Sequence, residues 1–270
     1  MAAIQSANIT VMMRAAEKAA RSLIRDFGET EQLQVSKKGP ADFVSAADRR
    51  AEEIIFENLN RDRPDYAFLM EEGGVKGSED YQYRWIIDPL DGTTNFLHGV
   101  PHWSISIALE ERRDKYNSEI IAALVADPIK DEWYIAEKGA GAFVNRKRLR
   151  VSGRSDPSAS LIAGGSPYSG NTDIEQYQKE VEPVYKHTSG FRRFGSAALD
   201  LAYVAAGRYE GYWERGINAW DVAAGILLVK ESGGFIQTLD RKEQNPVYSR
   251  GLVCGTPALR DFLLKIVKSA

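Results

Sequence analysis

A chain of 270 residues, 43% of them hydrophobic, is long enough for one large domain or two tightly packed halves. Its net charge of -3 argues against a strongly basic nucleic-acid surface, and no apolar run approaches the ~20 residues that span a bilayer. The single Cys254 excludes an internal disulfide and fits a reducing cytoplasm, and residues 1–10 lack the basic start and apolar core of a secretory signal.

From Ile9, apolar residues recur at Met12, Met13, Ala16, Ala20, Leu23, Ile24 and Phe27, which is helical spacing, and Gly28 stands where a C-terminal cap belongs. Residues 34–43, with Gly39 and Pro40, read as a loop or short strand. Ser45-Ala46-Ala47-Asp48 resembles a capping box opening a helix through Ile54, Ile55 and Leu59. Strands follow at 84–87, 103–109, 120–126, 132–136 and 141–144, and their crowding with turn residues between them implies an antiparallel sheet. Ser, Gly and Pro cluster at 151–160, which places a boundary between a 1–150 half and a 151–270 half. Beyond it come a strand at 161–165, helices at 173–187 and 197–206, a strand at 209–214, a helix at 222–232, a strand at 234–239 and a final helix at 257–267. Cys254, in Gly251-Leu252-Val253-Cys254-Gly255, belongs to a further buried strand rather than to a nucleophile's loop. Alternating strands and helices make the second half α/β, against an α+β first half.

Chemistry concentrates in Trp85-Ile86-Ile87-Asp88-Pro89-Leu90-Asp91-Gly92-Thr93-Thr94-Asn95-Phe96. An apolar strand ends in two carboxylates, and a turn follows at once. Asp-Pro and Asp-Gly pairs also occur in plain turns. Two carboxylates held together and away from water repel each other and ask for a cation. All-oxygen ligands with no His or Cys nearby favour Mg²⁺ over Mn²⁺ and Ca²⁺. The turn's backbone N–H groups suit a phosphate if a helix begins there.

This string resembles the first signature of the inositol monophosphatase family, Mg²⁺-dependent and Li⁺-sensitive phosphatases. Trp220-Asp221-Val222-Ala223-Ala224-Gly225 resembles the second, and the two stand in the family's order. The resemblance implies a layered αβαβα sandwich whose site lies between the two halves. It implies two to three Mg²⁺ ions: one on Glu71, Asp88 and the carbonyl of Leu90, another on Asp88, Asp91 and Asp221, and a weaker third on Glu71. It gives Asp48 and Thr93 the task of orienting the attacking water, places phosphate on the Gly92 and Thr93 amides, and sets Lys37 near the metals. For the substrate alcohol it implies Asp91, the Gly195-Ser196-Ala197 turn, with Ser196 where Thr is common, and Glu214. The resemblance further implies a homodimer, and a small phosphorylated polyol or sugar as substrate.

Each residue also has a plainer reading. Glu71-Glu72 before Gly73 suits a solvated loop, Asp48 and Asp221 suit helix N-caps, Lys37 suits a solvated lysine, and Glu214 suits a strand-end surface position. His98, His102 and His187 show no metal-ligand spacing. The expected reaction is hydrolysis of a myo-inositol monophosphate. Fructose 1,6-bisphosphate, histidinol phosphate and adenosine 3′,5′-bisphosphate are the alternatives that the family offers. A reading of another class comes from the bacterial extragenic suppressor branch, whose members act with RNA polymerase and in RNA processing.

Overall fold

The computed structural model describes residues 6–28, 35–37, 43–114, 117–167, 173–240 and 242–268, with the backbone course alone at 35–37, 43–45 and 268. In chain order, α1 (Ala7–Phe27) leads to a hairpin of β1 (Val35–Lys37) and β2 (Phe43–Ser45), then α2 (Ala46–Asp62). Next come β3 (Ala67–Met70), β4 (Gly74–Lys76), β5 (Tyr83–Asp91), the short α3 (Thr93–Leu97), β6 (Ser104–Arg112), β7 (Ser118–Asp127), β8 (Glu132–Glu137), β9 (Gly141–Val144) and β10 (Lys147–Arg148). The remainder holds β11 (Leu161–Gly164), α4 (Ile174–His187), β12 (Gly190–Arg192), α5 (Ala197–Ala205), β13 (Gly211–Arg215), α6 (Ala219–Glu231), β14 (Phe235–Thr238), β15 (Gly251–Gly255) and α7 (Arg260–Lys268).

Strands β10-β9-β8-β7-β6-β5-β3-β4 form one eight-stranded sheet, and β12-β11-β13-β15-β14 a second sheet of five. Side-chain alternation sorts the first sheet's residues onto its two faces. Trp85 and Ile87, with Ile105, Ile107 and Leu109, pack against Ala15, Ala19 and Leu23 of α1 and Ala51 and Ile55 of α2. Ile86, Ala108, Ala123 and Val125 face the other way, into α5 and α6. The same core takes in Tyr212, Leu252 and Cys254 from the inner face of the second sheet, whose outer face packs Trp213 and Val253 against α4 and α7. The order of layers is α1/α2, sheet, α5/α6, sheet, α4/α7, the expected αβαβα sandwich.

Of three further details, the first and last depart from the sequence reading and the second adds to it. The first sheet is not wholly antiparallel, because β3 runs parallel to β5. The second sheet is mixed, with β11 parallel to β12 and β13 but β15 antiparallel to its neighbours. The helix carrying Asp221 begins at Ala219, so Asn218 is its N-cap and Asp221 is not.

Candidate active site

The parallel pairing of β3 and β5 aligns Met70 with Ile87, and the Glu71 amide bonds the Ile87 carbonyl at 3.3 Å. Glu71 at the end of one strand thereby lies beside Asp88 on the next. Asp88 is 2% exposed and accepts from the Leu90 amide at 2.9 Å. The ladder between β5 and β6 then slips, and pairing resumes with Asp91 opposite Ser104. A bulge re-aims a strand locally, which lets two carboxylates of one strand end serve the same site.

Asp91, 8% exposed, is held by four donors. The Ser196 hydroxyl and the Ala198 amide donate to one oxygen, the latter at 2.9 Å; the Ser104 hydroxyl reaches that oxygen at 3.3 Å, and the Ala197 amide donates to the other at 3.3 Å. The N-terminus of α5 thus points two backbone N–H groups at this carboxylate, a favourable use of unsatisfied helix donors. Ser196 and Ala197 are both engaged with Asp91. Asp221, in the first turn of α6, accepts from the Asn218 amide at 2.7 Å, closing a reciprocal capping arrangement. The Trp220 carbonyl before it accepts from the Ser106 hydroxyl at 3.2 Å, tying α6 to the sheet beside Asp88.

Gly92 has φ +95°, and a Cβ there would meet the His102 carbonyl at 3.1 Å and the Gly195 carbonyl at 3.3 Å. Gly195 is also left-handed, at φ +81°. Two loops distant in sequence therefore meet backbone to backbone, which only glycine permits at these angles. The Asn95 amide fastens the junction through the His102 carbonyl at 2.8 Å and the Phe194 carbonyl at 2.7 Å. Thr93 opens α3, and its hydroxyl lies 3.3 Å from an Asp48 oxygen and 3.0 Å from the Leu90 carbonyl. Asp48 projects from α2 and is 1% exposed.

Electrostatically the site concentrates buried carboxylates within one another's fields. Burial raises the Asp88 pKa well above the usual carboxylate range, and the charges of Glu71, Asp91, Asp221 and Asp48 push it further. Burial also raises Asp91, against the pull of its donors, and Asp221, against the Asn218 amide. Glu214 is pushed up to about 7 by burial, opposed by a hydrogen bond from the Tyr212 hydroxyl and reinforced by Asp91. Asp48, Glu71 and Glu72 bring one carboxylate oxygen each within 4.8 Å of one another. This donor set, carboxylates plus a strand-end carbonyl, fits a hard divalent cation.

The structure thus gathers Asp48, Glu71, Asp88, Leu90, Asp91, Thr93 and Asp221, with Gly92, Gly195, Ser196 and Ala197 at the facing loop. Glu214, near the end of β13, joins them electrostatically: the charge of Asp91 acts on it, and its own charge acts on Asp221. Lys37 ends β1, and its side chain lies outside the described residues. His98 caps α3, while His102 is pushed down to about 4 by burial and by Lys130. Sequence reading missed Ser104 and Asp200, and it passed over Glu72 in favour of Glu71. Asp200 is 2% exposed in α5, and its pKa is raised well above the usual range by burial and by the charges of Glu214 and Asp91. Its signal was a lone acid inside the otherwise apolar Ala-Ala-Leu-Asp-Leu-Ala-Tyr-Val-Ala run.

Residues 5–270 match the model of the inositol monophosphatase family. The chain is 51% identical to an inositol-1-monophosphatase of Mesorhizobium japonicum, over 98% of this chain and 97% of the relative. It is 43% identical to a Nus factor SuhB of Pseudomonas aeruginosa, over 84% of each. Its fold superposes on the crystal structure of extragenic suppressor protein suhB from Bartonella henselae with a TM-score of 0.91 and 48% identity, covering 98% of this chain and 100% of that one. With this site and these relatives, the chain belongs to the inositol monophosphatase family and is a phosphatase of that type.

Proposed function

We propose that this phosphatase hydrolyses myo-inositol monophosphate, or a closely similar polyol phosphate, with Mg²⁺ as its cofactor. The observation that carries the reading is the field that Glu71, Asp91, Asp221 and Asp48 exert on Asp88, a concentration of carboxylates among the described residues. In this reading Glu71, Asp88, Asp91, Asp221 and the Leu90 carbonyl hold two to three ions. When bound, such ions supply positive charge for the phosphoryl and leaving oxygens and acidify water.

The chain's own residues do the rest. The Gly92–Thr93 turn, held by glycine in a conformation that keeps its backbone close to the His102 and Gly195 carbonyls, receives the phosphate through its amides. In this reading Thr93 donates to Asp48 and keeps a lone pair for the attacking water; as the water attacks, its proton passes to the Thr93 oxygen and the Thr93 proton passes to the Asp48 carboxylate. Ser104, Ser196, Ala197 and Ala198 orient Asp91 rather than the alcohol. Glu214 accepts from the hydroxyls of the substrate, and Lys37 lends its charge nearby. A homodimer is part of this reading, supported by exposed Val100 and Phe194 beside the Asn95 junction.

The relatives named Nus factor SuhB favour a second reading, a transcription partner alongside the enzyme. Phosphate release is to be measured on myo-inositol 1-phosphate, fructose 1,6-bisphosphate, histidinol phosphate and adenosine 3′,5′-bisphosphate, with Mg²⁺, with excess chelator and with Li⁺. The expected result is strongest turnover on inositol phosphate, lost in chelator and inhibited by Li⁺. Full activity in chelator removes the metal reading. A different preferred ester removes the substrate. Capture of purified RNA polymerase, with turnover retained, adds the second reading, and no capture removes it.

A further inference from the structure

Strand alternation at the end of β13 sends four successive side chains to two faces. Tyr212 and Glu214 share the inner face, where the tyrosine hydroxyl donates to the glutamate. Trp213 and Arg215 face outward, toward α4 and α7. Both of these outward residues end on one carboxylate, Glu180 of α4, which is 1% exposed. The Trp213 indole N–H donates to one Glu180 oxygen at 3.0 Å. The Arg215 guanidinium donates to the other through Nε at 2.9 Å and Nη2 at 2.6 Å, and Nη2 also reaches the Val267 carbonyl at 3.2 Å.

The residues on either side of Glu214 are therefore tied to a single buried charge on another helix. A carboxylate so deep, with a forked charge-assisted partner, holds its geometry tightly, because any displacement leaves an uncompensated ion. Glu214 has little slack on its own face: a Cβ at Gly165 would lie 2.0 Å from its carboxyl carbon, and the Gly165 amide bonds the Trp213 carbonyl at 3.2 Å. Tyr177, three residues before Glu180 on α4, lines a cleft with Gly165, Ser166 and Glu214. The Glu180 clamp thus fixes both the glutamate and the helix that walls the space in front of it.

We infer that Glu180 is a positioning residue for alcohol selectivity: by clamping Trp213 and Arg215 it sets Glu214 against the hydroxylated part of the substrate. This rests on the polyol reading of Glu214 given above. It makes no demand on the carboxylates at the phosphate end, which belong to other elements. Loosening the clamp should therefore cost recognition of the polyol while sparing phosphoryl chemistry.

The test compares Glu180→Gln with the parent protein on myo-inositol 1-phosphate and on p-nitrophenyl phosphate, which has no hydroxyl to present. KM for the inositol ester should rise roughly tenfold, less than the ~10²-fold cost of a full 1 Å misplacement, with kcat and the p-nitrophenyl phosphate constants within about twofold. Because the single change strands Arg215, the paired Glu180→Met/Arg215→Met variant, which swaps a buried ion pair for apolar volume, carries the same measurement if the single variant fails to fold. Leu259→Ala removes packing from the same layer without touching the clamp, and it should leave the ratio of the two KM values unchanged. An unchanged ratio in the folded clamp variants, or an equal shift in Leu259→Ala, overturns the inference. A parent protein that does not hydrolyse the inositol ester overturns the function reading instead.

Discussion

Asp88 offers one oxygen to the Leu90 amide and otherwise faces the charges of Glu71, Asp91, Asp221 and Asp48. Asp91 meets donors on both oxygens, from two backbone amides and two hydroxyls. The same Asp→Asn change therefore has opposite effects on the metal-free fold. Asp88→Asn keeps an acceptor for Leu90 and removes repulsion, so the apo protein should gain on the order of 1 kcal/mol. Asp91→Asn turns an NH₂ group against an N–H donor in a buried place and should cost about 1–3 kcal/mol. Both variants should lose turnover, since each removes a carboxylate of the proposed metal set. Urea denaturation in chelator, run on both, checks the pair; equal shifts of the same sign would contradict the geometry. Thr93 poses a separate question, because its hydroxyl proton can serve Asp48 or the Leu90 carbonyl but not both. If it serves Asp48 in turnover, Thr93→Ala should lower kcat roughly 10²-fold with little change in KM. Asp48→Asn should then add little to Thr93→Ala, and fully additive losses would leave Asp48 as a helix residue only.

At the scale of elements, α5 and α6 meet where Gly225 faces Leu201. A Cβ at Gly225 would lie 2.4 Å from the Leu201 Cβ and 2.5 Å from its Cδ1. The final glycine of the second signature is thus a contact between two helices, one holding Asp91 by its N-terminus and the other carrying Asp221. Gly225→Ala should force them apart at about 1–3 kcal/mol of stability, and the Mg²⁺ concentration for half-maximal activity should rise with it. A stability loss with unchanged Mg²⁺ dependence would show that the helix spacing does not govern the metal site. That contact was not legible in the sequence; the layers came from the resemblance to the family, since β5, β6 and β7 are buried on both faces and show no polar alternation. Missed strands such as β3, β4, β10 and β12 are two to four residues long, too short to carry a pattern of their own. Ala67–Met70 is a four-residue apolar run beside a parallel neighbour, and Gly190–Arg192 is a short edge strand. Asp221 reads as an N-cap in sequence because Asn218 lies outside the signature; the structure starts the helix there instead. Motif carboxylates could be named from their strings, whereas Ser104 and Glu180 act through partners on other elements that a single chain's spacing cannot reveal.

Across the whole molecule, charge is distributed so that stability and metal loading are linked through pH. In the metal-free protein Asp88, Asp91, Asp200 and Asp221 have pKa values raised above 3.8, and Glu52 and Glu214 above 4.5, the latter to about 7, with burial the leading cause in each. A carboxylate with a raised folded pKa holds its proton in the native state at pH values where the unfolded chain has released it. The native state then binds more protons than the unfolded one, and stability falls as pH rises from about 4 through 7 and beyond, by about 1.4 kcal/mol per pH unit for each whole proton of difference. His102 works the other way: with its folded pKa lowered to about 4 from 6.5, it adds stability as pH climbs through that window and nothing above it. Between pH 6.5 and 8 the carboxylates act unopposed by His102, so the Tm of the chelated protein should decline over that interval. A divalent ion that binds only the ionised, folded site stabilises by mass action, and its effect grows as protons stop competing for the same oxygens. The increment in Tm on adding Mg²⁺ should therefore be larger at pH 8 than at pH 6. Differential scanning calorimetry at both pH values, with and without Mg²⁺, decides the matter. A Tm in chelator that stays level or rises toward pH 8, or a Mg²⁺ increment that does not grow with pH, would mean that these carboxylates do not form the ion-binding set.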